Sequence, residues 1–121
     1  MTVRPFDLGE RLLNFAVTIG QIIKALPGDR LGSHVANQLV RSGTSPAAQH
    51  AEAQSAESRR DFVHKLKIGL KELRETLFWL RLVGRMKMNS GMKLDSAAAE
   101  CEELIAIFVK SVETAQQHMR Q

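Results

Sequence analysis

Apolar residues recur at alternating three- and four-residue steps through most of the chain, and this spacing constrains the fold more than any other feature. In the first segment the repeat is formed by Leu8, Leu12, Phe15, Ile19, Ile22 and Leu26. Such steps place side chains on one face of an α-helix, whereas a half-buried strand alternates every second residue. The segment predicts an amphipathic helix over about residues 6–26, ended by Pro27 and Gly28.

Two later segments carry the same repeat. Over about residues 58–85 it is formed by Phe62, Leu66, Leu70, Leu73, Leu77, Leu80 and Gly84. Over about residues 95–118 it is formed by Ala98, Cys101, Ile105, Phe108, Val112 and Ala115. Ser58 is a suitable N-cap for the first of these helices, and residues 89–91 (Asn-Ser-Gly) are typical of a loop between the two.

A fourth segment, over about residues 29–55, is built differently. Leu31, Val35 and Leu39 give it an apolar start, but most of its later positions carry small residues that allow close approach to neighbouring helices. Pro46 lacks a backbone donor, so we expect a kink or a local 3₁₀ turn near residues 43–46.

Four such helices with short connections predict an all-α protein, a single-domain up-down-up-down four-helix bundle over residues 1–121. The composition agrees, because aromatic residues make up 5% of the chain and Tyr is absent, which disfavours a β-sandwich or barrel. A hydrophobic fraction of 44% is ordinary for a globular protein and argues against disorder.

Positive charge is concentrated on the third helix. The chain has a net charge of +4, but residues 58–93 hold ten basic and three acidic side chains, whereas residues 94–121 hold two and five. Six cations share one side of the third helix, and we call them the basic stripe: Arg60, Lys67, Lys71, Arg74, Arg81 and Arg85. His64 and Phe78 occupy the remaining positions of this stripe, which should border the core.

Two interpretations of the basic stripe are open. The favoured one is a solvated face, or a face that pairs with the acidic fourth helix of the same or another chain. The other is a phosphate-binding strip with salt-dependent affinity for nucleic acid. A lack of exposed aromatic residues among the cations argues against base stacking as the main mode of binding.

Signatures of catalysis, metal binding and cofactor binding do not appear. The four histidines, His34, His50, His64 and His118, lie on different helices or faces and form no di-iron motif. The sequence contains no glycine-rich phosphate loop, nucleophile elbow or dinucleotide fingerprint. We therefore expect no enzymatic activity, no catalytic residues, no metal and no cofactor. A cross-helix metal site from His50, Glu52 and Glu72 is the weak alternative.

Several other residues are assigned structural roles. We expect Cys101 to be a buried thiol. Five polar residues are expected to point inward as a network, in which Arg41 pairs with a carboxylate: Ser42, Thr44, Glu52, Glu72 and Glu75. Six apolar residues beside the main repeats are candidates for burial between subunits: Leu13, Ile23, Phe78, Leu82, Ile107 and Val109.

Targeting signals are also missing from the sequence. The first residues lack the apolar region of a signal peptide, and the longest apolar run, residues 104–109, is far shorter than a bilayer span. We expect a cytoplasmic protein without a membrane partner.

Several motifs in the middle of the chain resemble a known family. They are Arg41-Ser42-Gly43-Thr44-Ser45, Glu52-Ala53, Ser58-x-x-Asp61-Phe62-Val63-x-Lys65-Leu66-x-Ile68 and Leu70-Lys71-Glu72-x-x-Glu75-Thr76-x-x-Trp79-Leu80. They look like the four helix bundle protein family, also called the 23S rRNA intervening-sequence protein family, to which the accessory variability protein of diversity-generating retroelements is related. The resemblance runs from Phe6 to about Thr114, but residues 46–52 depart from the family's Ile-Gly-Ala-Asn-x-x-Glu pattern.

The resemblance implies a homopentameric ring of bundles with a surface for nucleic acid. Together with the residue patterns, it favours a non-enzymatic homo-oligomer, expected to be a pentamer, that acts as an assembly scaffold or adaptor for a protein encoded nearby. The alternative is an accessory protein that binds RNA or DNA through the basic stripe.

Overall fold

The structure, a computed structural model, describes residues 7–88 and 92–120 of the 121-residue chain. It contains four helices: α1 (Leu8–Lys24), α2 (Arg30–Gln54), α3 (Arg59–Arg85) and α4 (Met92–Met119). No strand occurs in the described ranges. The prediction of an all-α four-helix bundle is confirmed, with helix bounds within a few residues of those predicted.

Short-range capping explains where three of the helices begin. The backbone N–H of Glu10 donates to Asp7 Oδ1 at 3.1 Å, and that of Gly32 donates to Asp29 Oδ1 at 2.8 Å. The N–H of Asp61 donates to Ser58 Oγ at 3.0 Å, which confirms the predicted cap of α3. Each cap satisfies one of the unpaired donors of a first helical turn.

Each helix packs against the next one in the chain, and the last helix packs against the first. α1 contacts α2, α2 contacts α3, α3 contacts α4, and α4 contacts α1. This arrangement leaves an outward face on every helix, including the face of α3 that carries the basic stripe. None of the helices that the structure describes could cross a bilayer.

The core confirms the middle of the predicted repeat of α1 and corrects parts of those of α3 and α4. Leu12, Phe15, Ile19 and Ile22 are fully buried on α1, whereas Leu8 and Leu26 are partly buried. On α3 the fully buried positions are Val63, Leu66, Gly69, Leu73, Thr76, Leu80 and Val83, while Phe62, Leu70 and Leu77 lie at the core's edge and Gly84 is exposed. On α4, Ala97 and Leu104 are buried, whereas Ala98 and Ile105 are only partly buried.

The physical reason lies in the close contact between α3 and α4. A Cβ atom on Gly69 would lie 2.7 Å from Cε2 of Phe108, so the Phe108 ring occupies the space that a larger side chain would take. This contact turns Gly69, rather than Leu70, toward the centre of the bundle. Leu70 then lies at the flank, where α3 still buries part of its apolar surface.

The middle of α2 differs from the prediction in two respects. The α-helix continues through Pro46, so of the two expected alternatives, a kink or a 3₁₀ turn, the 3₁₀ turn does not form. Ser42 is buried as expected, but Thr44 and Glu52 are exposed, and the buried positions near Thr44 include Gly43 and Pro46. A Cβ on Gly43 would lie 2.6 Å from Cγ2 of Ile19.

Candidate nucleic-acid interface

The basic stripe lies on the outward face of α3. All six of its side chains are exposed. At 100° per residue, they and the two intervening positions, His64 and Phe78, fall within an arc of about 100°. From Arg60 to Arg85 the stripe is about 37 Å long at 1.5 Å per residue. It is therefore one continuous cationic surface.

No member of the basic stripe forms an ion pair with any residue of the described ranges. Lys65, which lies outside the stripe, donates to Glu52 at 3.1 Å, and the pKa of Lys65 is raised by that hydrogen bond and charge. The α3 carboxylates Glu72 and Glu75 both pair with Arg41 of α2. Glu52, Glu72 and Glu75 are thus paired with cations outside the stripe.

The acidic helix α4 directs its ion pairs toward α1. Arg11 contacts Glu100 at 2.5 Å and Glu103 at 3.4 Å, and the hydrogen bond to Glu100 raises the pKa of Arg11 above its ordinary value. Within residues 7–88 and 92–120, the predicted pairing of the basic stripe with α4 of the same chain is therefore not found. The side chains of the basic stripe are therefore free to contact solvent or another molecule.

A polar network on the α2–α3 side of the bundle confirms that Arg41 pairs with a carboxylate. One Arg41 nitrogen contacts Glu72 at 2.5 Å, and the other contacts Glu75. Glu75 also accepts a hydrogen bond from the Trp79 indole N–H at 3.2 Å. The edge of His34 meets the Trp79 ring, with the ring centroids 5.7 Å apart. These contacts hold Trp79 in one orientation beside the stripe.

Phe78 contradicts the expectation that the stripe lacks an exposed aromatic residue. Its side chain is 58% exposed. It contacts Trp79 edge-to-face, with ring centroids 4.9 Å apart at 77°. Its position was visible in the sequence, but its exposure depends on the rotation of α3 in the bundle.

The six candidate subunit-contact residues have different environments. Leu13 is 53% exposed and Phe78 is also exposed, whereas Ile23 and Leu82 pack against the core. Ile107 and Val109 are partly buried. Sequence reasoning missed five more exposed apolar side chains: Val17, Leu31, Val40, Met86 and Met119. Val17 follows Leu13 by four residues, a spacing that would have indicated a second apolar row on α1.

The one cysteine of the chain is buried and hydrogen-bonded. The Cys101 thiol is buried and donates to the carbonyl oxygen of Leu73 at 3.2 Å, as its predicted structural role requires. Burial, helped by the charges of Glu102 and Glu100, raises the pKa of Cys101 to about 12. Such a thiol is not a nucleophile near neutral pH.

The weak metal-site alternative does not assemble. Glu52 pairs with Lys65 and Glu72 pairs with Arg41, while His50 lies near Gln54, with 3.3 Å between the side-chain nitrogens. Burial lowers the pKa of His50. In the ranges that the structure covers, no three His, Cys, Asp or Glu side chains converge as metal ligands.

Comparison with known proteins identifies a family whose sequences match this chain. The family model of the 23S rRNA-intervening sequence proteins matches residues 7–110. The chain belongs to this family. The match confirms the resemblance carried by the motifs of α2 and α3, and it covers the whole of α1, α2 and α3 and most of α4.

A solved structure supports the assignment. The chain is 33% identical to a protein of unknown function from the S23 ribosomal protein family of Bacteroides thetaiotaomicron VPI-5482, with a TM-score of 0.81. The likeness covers 88% of this chain and 98% of that one. The comparison with curated proteins gives no match. Family membership therefore establishes the fold and leaves the activity to be argued from the surface.

Proposed function

We propose that the protein is non-enzymatic and binds RNA or DNA through the basic stripe of α3. The observation that carries the proposal is the set of six exposed cations on one helical face, none with an ion-pair partner in the described part of the chain. The sequence analysis favoured a solvated face, or a face paired with α4, over a nucleic-acid surface. The proposal reverses that preference, because the stripe does not pair with α4 of the same chain in the described residues.

The basic stripe repeats at a regular interval. Arg60, Lys67, Arg74 and Arg81 are separated by seven residues each, which is about 10.5 Å along the helix. Such a row of cations on one helix can contact several phosphates of the same nucleic acid. Each contact releases a condensed counterion, so the affinity should fall steeply as the salt concentration rises.

The test is a fluorescence-anisotropy titration of labelled single-stranded and duplex oligonucleotides over a salt series. If all six cations contact phosphates, log K against log salt should have a slope of about −4 for a single strand. Replacing Lys67 and Arg74 by Ala should make that slope shallower by about 1.4, the contribution of two contacts.

A double variant of Lys24 and Arg30, which lie on α1 and α2 and are also exposed, is the matched control. It removes the same charge and should leave the slope close to that of the unmodified protein. Equal losses in both double variants would refute the stripe as the binding surface, and an absence of binding at low salt would refute nucleic-acid binding altogether.

The second candidate function is a homo-oligomeric scaffold, and a separate observation favours it. Leu13 and Val17 are each 53% exposed and lie one turn apart on the outer face of α1. Exposed apolar residues on neighbouring turns are typical of surfaces that become buried between copies. The resemblance implies five copies, and the expected partner of such a scaffold is a protein encoded nearby.

Light scattering tests the assembly. Five copies of the 13.5 kDa chain would have a mass of about 68 kDa. Replacing Leu13 and Val17 by Glu should dissociate the assembly, whereas replacing the exposed polar residues Thr114 and Gln117 of α4 by Glu, which adds the same charge, should not. A 13.5 kDa species at micromolar concentration would contradict the scaffold.

A further inference from the structure

Phe78 lies in the middle of the basic stripe. Relative to Lys67, the stripe positions extend about 40° to one side and 60° to the other, and Phe78 falls at about 20°. Arg74 precedes it by four residues and Arg81 follows it by three, so cations lie one turn away on both sides. The exposed Phe78 ring is thus flanked by cations along the helix.

The Phe78 ring lies against an ordered neighbour. Trp79 meets it edge-to-face at 4.9 Å, and Trp79 is itself held by Glu75, which Arg41 holds in turn. A ligand that contacts the exposed 58% of Phe78 would therefore meet a surface that is already ordered. Preorganisation of this kind lowers the entropy lost on binding.

A depression of about 300 Å³ adjoins the ring. Its lining residues are Phe78, Arg81, Leu82 and Arg85, all from one face of α3. An apolar floor with two guanidinium groups and no carboxylate suits a flat, aromatic ligand that carries negative charge. Guanidinium groups stack on bases and also bind phosphate oxygens, so Arg81 and Arg85 can contact either part of a nucleotide.

We infer that the basic stripe prefers single-stranded nucleic acid and that an unpaired base stacks on Phe78 in this depression. The inference rests on the proposed function and names its ligand class. In a duplex each base is already stacked between its neighbours, so its face is not available to Phe78. Every base has such a face, so the contact should show little sequence preference.

The test compares Phe78→Leu with the unmodified protein. Leu keeps an apolar side chain but removes the aromatic face, and Phe78→Trp restores one. Loss of one base stack should weaken binding of a single strand by about 5- to 150-fold. Affinity for the duplex and the slope of its salt dependence should not change, because no phosphate contact is lost. The Phe78→Trp variant should bind the single strand as tightly as the unmodified protein.

Three results would overturn the inference. The first is undiminished single-strand binding by Phe78→Leu, and the second is an equal loss for the duplex. The third is a change in mass by light scattering, which would make Phe78 a subunit contact instead. In all three cases a steep salt dependence that requires Lys67 and Arg74 would leave the proposed function standing, whereas no binding of either oligonucleotide would refute both.

Discussion

Replacing Gly43 by Ala tests the closest contact between α1 and α2. A Cβ at this position would lie 2.6 Å from Cγ2 of Ile19 and 3.1 Å from its Cβ and Cγ1. Ile19 is completely buried, and its branched Cβ restricts it to few rotamers. The side chain has little room to retreat, so the two helices must separate to accept the new methyl group.

The expected cost follows from two opposing effects. Overpacking a well-filled core costs about 1–3 kcal/mol, and three close contacts with one stiff side chain place this site toward the upper end. Ala is also a better helix former than Gly by about 1 kcal/mol, which offsets part of that cost. We expect Gly43→Ala to lower the free energy of unfolding by about 2 kcal/mol and Tm by about 8 °C.

Gly20 on α1 is the matched control. A Cβ there would meet nothing within 4 Å, so only the helix propensity changes. Gly20→Ala should raise the free energy of unfolding by up to about 1 kcal/mol. Urea and thermal unfolding followed by circular dichroism measure both variants. In a double-mutant cycle, Gly43→Ala and Ile19→Ala should show a coupling of at least about 1 kcal/mol. A Gly43→Ala protein as stable as the unmodified one would refute this account of the packing.

Two further predictions concern buried and partly buried polar groups. The Cys101 thiol ionises near pH 9.0 when unfolded and near pH 12 when folded, so the folded state keeps a proton that the unfolded state has lost. The free energy of unfolding should then fall by about 1.4 kcal/mol per pH unit above pH 9, relative to a Cys101→Ala variant; identical pH profiles would contradict the buried thiol. Arg41→Ala leaves Glu72 and Glu75 without their shared cation and should cost about 1 kcal/mol, whereas Lys65→Ala, whose partner Glu52 is exposed, should cost clearly less in the same urea assay. Equal costs would show that the Arg41 network adds nothing to an ordinary surface pair.

Features that depend on local sequence were predictable. The helices follow from apolar spacing, and the Ser58 cap follows from a side chain that reaches a backbone donor three residues away. The pairing of Arg41 with a carboxylate was also predicted, and the structure confirms it. The identity of the two acids required the register of α2 against α3.

Features that depend on how the helices rotate against one another were not predictable. The apolar repeat placed Leu70 in the core, but the Phe108 ring fits against Gly69 and turns that position inward. The same rotation decides that Phe78 is exposed. The choice of ion-pair partners also depends on how the helices pack. The sequence allowed α4 carboxylates to pair with the basic stripe, but Arg11 of α1 pairs with two of them instead.

The central claim, that the basic stripe is a nucleic-acid surface, is tested most directly by lysine footprinting. The protein is acetylated with and without a saturating single-stranded oligonucleotide, and modification at each lysine is measured by mass spectrometry. Lys67 and Lys71 lie on the stripe, whereas Lys24 and Lys110 are exposed on α1 and α4 and serve as internal controls. The account predicts protection of Lys67 and Lys71 alone. Equal protection of all four lysines, or protection only of Lys24 and Lys110, would contradict it.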